Sequence, residues 1–317
     1  MHPRLAAILR RLPIIRDLRW WQRLGWRADH LQANQALIAR HLCGKPAPTA
    51  SEDPTFGTTS LLCREGHFRL PAYHRWCAEL KEEPAFQRKQ WEFAWILAAL
   101  DHAGMLKAGV RALGFGVGRE LLPAYFAARG IQVTATDQDI SQAITTGWVG
   151  HGQHAAGLVA LSHPRLVSDD ELKRLVSFRV VDMNRIPDDL RGYDFVWSAC
   201  ALEHVGTLDL ATAFIERSLA CLRPGGIAVH TTEFNAGSDE HTITTGLTVL
   251  FRRRDLVALS ERLARLGHVM APLELDPGTG FLDQYVDMPP FNRDANLRLL
   301  LERHIASSTG ILIRRAG

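Results

Sequence analysis

The sequence has few cysteines, no long apolar run and no dominant charge, and each of these absences excludes a class of protein. The five cysteines lie 14 or more positions apart, so no CxxC pair is present for zinc binding or redox chemistry. This usage is typical of a reducing compartment, and we expect a cytoplasmic protein. No stretch approaches the ~18 consecutive apolar residues of a membrane span. The apolar stretch 5–9 ends at Arg10 and Arg11, which argues against a secretory signal.

Charge is nearly balanced over the whole chain but not along it. The 37 Lys and Arg side chains against 34 Asp and Glu give a net charge of +3, so we expect no nucleic-acid partner. Residues 1–45 contain nine basic and two acidic side chains, a net of +7, which leaves −4 for the other 272 residues. If charge recruits a partner, residues 1–45 are expected to do so.

The basic segment 1–45 is also apolar and aromatic. Leucine, isoleucine and tryptophan alternate with arginine over 1–27, and we expect amphipathic helices interrupted at Pro13 and Gly25. Arginine with tryptophan on such a helix fits a peripheral anchor on anionic lipid, here at the inner face of the membrane. The alternative is a helix that packs on the rest of the chain or on a second protomer.

The remaining sequence divides into two parts. Residues 46–85 are predicted to be a linker, marked by KPAPTASEDPTFGTT at 45–59, and a helical cap. In residues 86–317 strands alternate with helices, which predicts a doubly wound α/β sheet. The strands are expected at 110–114, 131–136, 178–181, 193–198 and 226–232, with helices at 120–129 and 208–222. Toward the end of the chain we expect a helix at 254–266, a strand at 281–287, a helix at 292–304 and a strand at 307–314.

The strongest motif is a glycine-rich turn after the first of these strands. Gly114, Gly116 and Gly118 alternate in LGFGVGRE, where a backbone without Cβ atoms can turn sharply and approach a ligand. Asp137 ends the next strand and can accept both hydroxyls of a ribose. Together these features predict an adenosine-bearing ligand. The third glycine comes one residue earlier than in the dinucleotide fingerprint, which disfavours a nucleotide-dependent oxidoreductase without excluding it.

Five motifs in order resemble those of class I S-adenosylmethionine-dependent methyltransferases. They are LGFGVGRE, VTATDQD, VVDMNRIP, YDFVWSACALEHV and LRPGGIAVHTTE, and the resemblance covers about residues 86–317. It implies a Rossmann-like methyltransferase sheet behind a mainly helical N-terminal region, with S-adenosylmethionine as cofactor and S-adenosylhomocysteine as product. More loosely, HTTEFN and DQYVDMPPF are similar to stretches of bacterial methyltransferases of polysaccharide and glycan biosynthesis.

The resemblance implies a cofactor site residue by residue. The glycines of the turn would pass under the methionine part of the cofactor, and the acid that ends the second strand would hold the ribose. The acid and methionine after the third strand would frame the adenine, and the pair after the fourth would lie near the methyl group. In chain order the residues implied are Gly114, Gly116, Gly118, Asp137, Gln138, Asp182, Met183, Ser198 and Ala199.

Candidate acid–base residues follow the fourth and fifth strands, at the carboxyl edge where an open α/β sheet places its ligands. Methyl transfer from a sulfonium is an in-line displacement, and an alcohol acceptor also needs a base. His204 is the leading candidate because histidine titrates near neutrality. Glu203 or Glu233 would orient it or hold a substrate hydroxyl. The alternative is that His204 only bonds to backbone; His230 is expected to be structural, and no spacing requires a metal.

Two other polar groups have open interpretations. Arg88, Lys89 and Gln90 are expected on a solvated helix face, with reach toward the carboxylate of the cofactor as the alternative. Trp148, His151 and His154, in the long excursion 140–176, would line the acceptor pocket or form a packed surface loop.

The sequence therefore predicts an enzyme that transfers a methyl group from S-adenosylmethionine to a hydroxyl of a small or sugar-like acceptor, in glycan or secondary-metabolite biosynthesis. A nucleotide-dependent oxidoreductase is one alternative. The other is an inactive cofactor-binding scaffold recruited through residues 1–45.

Overall fold

The computed structural model describes residues 13–141, 154–289, 291 and 295–317. Its helices are α1 (Pro13–Cys43), α2 (Pro71–Glu79), α3 (Arg88–His102), α4 (Leu122–Ala128), α5 (Asp169–Leu175), α6 (Leu208–Leu219), α7 (Arg253–Arg265) and α8 (Phe281–Gln284). Its strands are β1 (Ser60–Leu61), β2 (Arg111–Gly114), β3 (Gln132–Asp137), β4 (Val176–Val180), β5 (Tyr193–Ala199), β6 (Leu222–Asn235), β7 (Val269–Met270), β8 (Leu273–Glu274), β9 (Val286–Asp287), β10 (Arg298–Leu301) and β11 (His304–Arg314).

The main sheet has the strand order β4-β3-β2-β5-β6-β11-β10-β9. Strands β2 to β6 are parallel to their neighbours, and β11 runs antiparallel to β6. The chain moves outward from β2 to β4 and then returns to place β5 on the other side of β2. The carboxyl ends of β2 and β5 thus form the switch point at which open α/β sheets bind ligands. The predicted doubly wound, Rossmann-like α/β class is confirmed.

Side chains of the central strands alternate between two hydrophobic layers, one on each face of the sheet. On β5, Phe195 and Trp197 enter the cluster that holds α3, whereas Val196 enters the cluster that holds α6 and α7. Apolar residues on both faces are expected of parallel strands covered by helices on both sides. The alternation determines which strand-end residues can reach the ligand side.

The C-terminal elements differ from the sequence prediction. The predicted strand 281–287 is a short helix, α8, followed by the two-residue strand β9. The predicted helix 292–304 contains strand β10 instead, which forms an antiparallel hairpin with β11 across Glu302 at φ 54°; residues 292–294 lie outside the described part. Leucine and arginine favour helix locally, but pairing with the long strand β11 outweighs that small preference.

Helix α1 does not break at Gly25, where the sequence predicted an interruption; the described helix begins at Pro13. An exposed glycine in a helix costs only about 1 kcal/mol, which a 31-residue helix tolerates. Among the described helices none is both long and apolar enough to cross a membrane.

Helix α3 is buried on nearly all sides, whereas the sequence predicted a solvated face at its start. Its buried residues run from Arg88 to Leu100 with only Lys89 excepted. Residues of the segment predicted as linker and cap, such as Phe56 and Trp76, belong to the same hydrophobic cluster as Trp91 of α3. The segment 46–85 is thus packed as part of the main body.

Candidate active site

A cavity of about 1110 Å³ opens at the carboxyl ends of the parallel strands. It is lined by the glycine-rich turn after β2, the ends of β3 and β5, the residues after β4 and one face of the start of α3. A site for a drug-sized ligand occupies about 300–1,000 Å³. The cavity therefore has room for a nucleoside-sized ligand together with part of a second molecule.

The glycine turn forms one wall of this cavity. Gly116 and Gly118 line it with φ of 57° and 52°, a conformation that side chains with a Cβ rarely adopt. A Cβ at Gly116 would lie 2.7 Å from the Cβ of Ala201 and 3.4 Å from the sulfur of Met183. Glycine at this position lets the turn pack directly against the residues after β4 and β5.

Gly114 has another position than predicted. It does not line the cavity, and a Cβ there would lie 2.3 Å from the ring of Trp197. The residue is glycine because the Trp197 indole packs against the backbone of β2. Gly114 thus shapes the wall without facing the ligand side.

Asp137 lies at the end of β3, nearly buried and facing the cavity. Its Oδ1 accepts the N–H of Gln138 at 2.8 Å, and its Oδ2 accepts the N–H of Ala155 at 2.9 Å. Burial raises the pKa of Asp137, and these hydrogen bonds oppose the rise. The backbone N–H of Gly118 also hydrogen-bonds this carboxylate. Because a carboxylate has about four lone-pair sites, Asp137 can still accept a hydrogen bond from a ligand hydroxyl.

Other residues that the resemblance implied for the cofactor site line the same cavity as Asp137. Gln138, Asp182 and Met183 line the cavity, and Asp182 accepts the backbone N–H of Asn184 at 2.8 Å. His154 also lines it, and its Nε2 lies 2.9 Å from the carbonyl oxygen of Gln138. Trp148 and His151 lie outside the described residues.

The end of β5 separates two predicted neighbours. Ala199 lines the cavity, whereas Ser198 is fully buried on the opposite face, where its Oγ lies 2.8 Å from Nδ1 of His230. The sequence predicted that Ser198 lines the cavity, and this is wrong. Side chains alternate along a strand, so Ser198 and Ala199 point to opposite faces of the sheet. His230 is buried between Ser198 and Ser218, and burial lowers its pKa to about 3, so it remains neutral.

The three candidate catalytic residues lie together at the end of the cavity that β5 and β6 border. His204 and Glu203 follow β5, Glu233 lies on β6, and all three line the cavity. His204 Nδ1 lies 2.7 Å from the carbonyl oxygen of Leu247, so Nδ1 carries the proton and Nε2 the lone pair. Burial lowers the pKa of His204, which keeps the ring neutral near pH 7. The backbone contact thus fixes a neutral imidazole, with Nε2 3.7 Å from Oε1 of Glu203.

Glu203 and Glu233 have contrasting surroundings. Burial and the nearby Glu233 raise the pKa of Glu203 to about 8, and its buried Oε1 has no hydrogen-bond partner among the described residues. Glu203 Oε2 accepts the hydroxyl of Thr232 at 3.2 Å. Glu233 is ionised against Arg88, with Nη1–Oε2 and Nη2–Oε1 distances of 2.7 and 2.9 Å. Glu203 is therefore a neutral carboxyl group, and Glu233 is a carboxylate whose charge is balanced by Arg88.

Helix α3 contributes residues that sequence reasoning placed on a solvated face. Lys89 and Gln90 line the cavity, and Arg88 is buried behind Glu233. Lys89 Nζ lies 3.0 Å from the carbonyl oxygen of Ala199 and 2.8 Å from Oε2 of Glu92. The signal in the sequence is that three consecutive polar residues begin a helix that is mostly apolar after them.

Glu120 is a cavity residue that the sequence analysis did not single out. It follows the glycine turn, and its Oε1 accepts the indole N–H of Trp197 at 2.7 Å. Burial raises its pKa to about 8. Its position directly after the turn was the available signal.

Cys200 has a strained backbone conformation. It lies between the residues expected to hold the cofactor and the candidate acid–base residues. Its φ is 49°, unusual for a residue with a side chain, and its thiol donates to Oε1 of Glu92 at 3.1 Å. Its Sγ and the carboxylates of Glu203 and Glu233 lie within 4.8 Å of one another, a spacing that a metal ion could bridge. Burial holds the pKa of the Cys200 thiol well above its usual range, and Arg88 already compensates Glu233. The Cys200 thiol and the Glu203 carboxyl are thus held protonated near pH 7, and the Glu233 carboxylate is paired with Arg88.

No protein-family model matches the chain, and neither does any curated protein sequence. Solved structures that match it include a DhpI–SAM–HEP complex, at 18% identity and a TM-score of 0.41 over 78% of this chain and 94% of that one. A Burkholderia thailandensis 1,6-didemethyltoxoflavin N1-methyltransferase with bound S-adenosylhomocysteine matches at 17% identity and a TM-score of 0.40, over 70% and 76%. A Haemonchus contortus phosphoethanolamine N-methyltransferase 2 matches at 15% identity and a TM-score of 0.45, over 78% and 56%.

Proposed function

We propose that the chain is an S-adenosylmethionine-dependent methyltransferase acting on a hydroxyl of a small, sugar-like acceptor. The observation that carries the proposal is that one cavity joins the glycine cradle and Asp137 to the Glu203–His204 pair. One end of the cavity thus has the features expected of a nucleoside site, and the other has a neutral base beside carboxyl groups.

The residues present fit the cofactor. The turn at Gly116 and Gly118 would pass under its methionine part, and the carboxylate of Asp137 would accept a hydrogen bond from the ribose. Asp182 would accept the exocyclic amine of adenine. At the methionine end, Glu120 would accept a hydrogen bond from the α-ammonium group. Lys89 already contacts Ala199 and Glu92, and its third N–H would donate to the α-carboxylate.

When bound, the sulfonium supplies an electrophilic methyl group. His204 would accept the proton of the acceptor hydroxyl at Nε2, because its Nδ1–H is fixed on Leu247. The unpaired Oε1 of Glu203 would contact a hydroxyl of the acceptor, since a buried polar atom without a partner costs about 1–3 kcal/mol. Glu233, held by both Nη atoms of Arg88, would fix a second hydroxyl.

The same residues support a polyhydroxylated acceptor. Two carboxyl groups and an imidazole converge on a short stretch of the cavity, and such groups bind neighbouring hydroxyls. Gly246 and Leu247 form the rim, and Leu247 is exposed there. Beyond Glu233, Asn235 supports the adjoining turn by accepting the N–H groups of Gly237 and Ser238.

Titration calorimetry of the purified chain with S-adenosylhomocysteine and with NADH tests the proposal. We expect S-adenosylhomocysteine to bind, and Asp137→Asn to weaken it about tenfold or more because charge-assisted hydrogen bonds are lost. Asp139→Asn is the matched control, since Asp139 is exposed and bonds only locally to Ser141. Binding of NADH alone would establish the oxidoreductase alternative. Cofactor binding without a methylated product on any polyol or sugar tested would establish the scaffold.

A further inference from the structure

Only a narrow face of helix α1 contacts the rest of the chain. Among its described side chains, Gln32, Ala36 and Ala39 are buried, Cys43 is half-buried, and Gln32 donates to Asp287 of β9. From residue 17 to residue 31 every side chain that the structure describes is exposed. A helix of 31 residues is about 46 Å long. About half of α1 therefore presents its side chains away from the body of the protein.

A second face of α1 carries an exposed apolar stripe. The stripe consists of residues spaced by four, seven, seven and four positions, which places them in one row on a helix. They are 42–63% exposed: Trp20, Leu24, Leu31, Ile38 and Leu42. Trp21 lies beside the first of them, 62% exposed, with its ring 5.0 Å from that of Trp20. A row of exposed large apolar side chains along a helix of this length indicates an interaction surface.

Basic residues border this stripe. Arg23 is three positions after Trp20, and Arg27 lies three after Leu24 and four before Leu31, so both fall on one edge of the row. Residues 1–45 carry a net charge of +7. From this combination we propose that α1 binds the surface of an anionic lipid bilayer. The indoles lie at headgroup depth, and the arginines pair with lipid phosphates.

Pairing with a second copy of the chain fits this surface poorly. A coiled coil needs apolar residues at both the a and d positions of its heptads. Three stripe residues are seven apart and would occupy the a positions. The matching d positions hold Arg27, Asn34 and His41. Two such helices face to face would bring arginine against arginine, whereas an anionic bilayer complements the same charges.

Sedimentation of the full-length protein with vesicles tests the proposal, and α1 offers a matched pair of variants. Trp20→Ala/Leu31→Ala removes two stripe residues that are 56% and 63% exposed. Trp26→Ala/Leu37→Ala removes the same residue types at the same spacing from the opposite side of the helix, 64% and 59% exposed. All four side chains are exposed, so both variants should fold. Circular dichroism and thermal unfolding verify this.

We expect the wild type to sediment with phosphatidylglycerol vesicles at 0.1 M salt and not with phosphatidylcholine vesicles. The stripe variant should lose at least tenfold in partition coefficient, and the control variant less than twofold. Arg23→Gln and Arg27→Gln should each weaken binding about fivefold. Absence of binding to phosphatidylglycerol, equal binding to both lipids, or equal losses in both double variants would overturn the proposal. So would a dimer in analytical ultracentrifugation that only the stripe variant abolishes.

Discussion

The imidazole of His204 donates from Nδ1 to the carbonyl oxygen of Leu247 across 2.7 Å. This contact assigns the tautomer, because a carbonyl can only accept. The same contact joins the residues after β5 to the segment at the cavity rim that contains Leu247. It therefore holds His204, the candidate base, next to the entrance of the cavity. Two predictions about His204 follow from its burial and this contact.

His204→Gln should lower kcat by about 10²–10⁴-fold, since glutamine cannot take a proton at neutral pH. Burial lowers the pKa of His204, so the neutral, active form persists below pH 6.5. In the wild type kcat should therefore decline only as pH falls below 6.5. Initial rates between pH 5 and 8 with a responsive acceptor measure both effects. Affinity for S-adenosylhomocysteine should remain within twofold; unchanged turnover would leave His204 with a backbone role only.

The bidentate pair of Arg88 and Glu233 predicts a non-additive effect on stability. Both side chains are largely buried, so Arg88→Met leaves an uncompensated carboxylate and should cost about 3 kcal/mol of unfolding free energy. The double variant Arg88→Met/Glu233→Gln should recover most of this loss, because neither charge remains. Urea unfolding of the single and double variants measures the coupling. Equal losses in the two variants would show that the ion pair contributes little beyond packing.

Much of the ligand side of the site could be predicted from the sequence, because its residues follow strands in chain order. The glycine turn and the acids that end β3 and follow β4 need only local patterns to be placed at one edge of a parallel sheet. Ser198 shows where this reasoning was incomplete. The face of β5 on which it lies follows from its alternation with Trp197 and Ala199, a two-residue period visible in the sequence.

Other positions depend on tertiary contacts that no local pattern contains. Lys89 is the one residue of 88–100 on α3 that is not buried, and it lines the cavity through its contacts with Ala199 and Glu92. The segment of β10 has good helix formers, yet pairing with β11 makes it a strand. Arg88 could not be matched with Glu233, 145 positions away, without knowing that α3 crosses β6.

The raised pKa of Glu203 predicts that stability depends on pH. In the folded protein the pKa is about 8, against 4.5 in the unfolded chain. The stabilising contribution of protonated Glu203 is complete below pH 4.5 and lost as pH rises through 8. Glu203→Gln, which keeps the neutral shape, should be as stable as the wild type at pH 5 and more stable by about 2–3 kcal/mol at pH 8. Urea unfolding at the two pH values tests this; parallel changes in both proteins would contradict it.

The buried His230 predicts that stability depends on pH in the opposite direction. Its variant also distinguishes a structural histidine from a catalytic one. His230→Leu removes a group that contacts both Ser198 and Ser218, and should cost about 2 kcal/mol at pH 7. The folded pKa of His230 is about 3, below the 6.5 of the unfolded chain, so its stabilising effect is present above pH 6.5 and lost as pH falls. The wild type should therefore lose about 2 kcal/mol between pH 7 and pH 5 that the variant does not lose. Urea unfolding at both pH values should show the difference in stability between the proteins nearly vanish at pH 5.

Affinity of the folded His230→Leu variant for S-adenosylhomocysteine should be unchanged at pH 7, because His230 faces away from the cavity. A weaker affinity would assign His230 a part in the site.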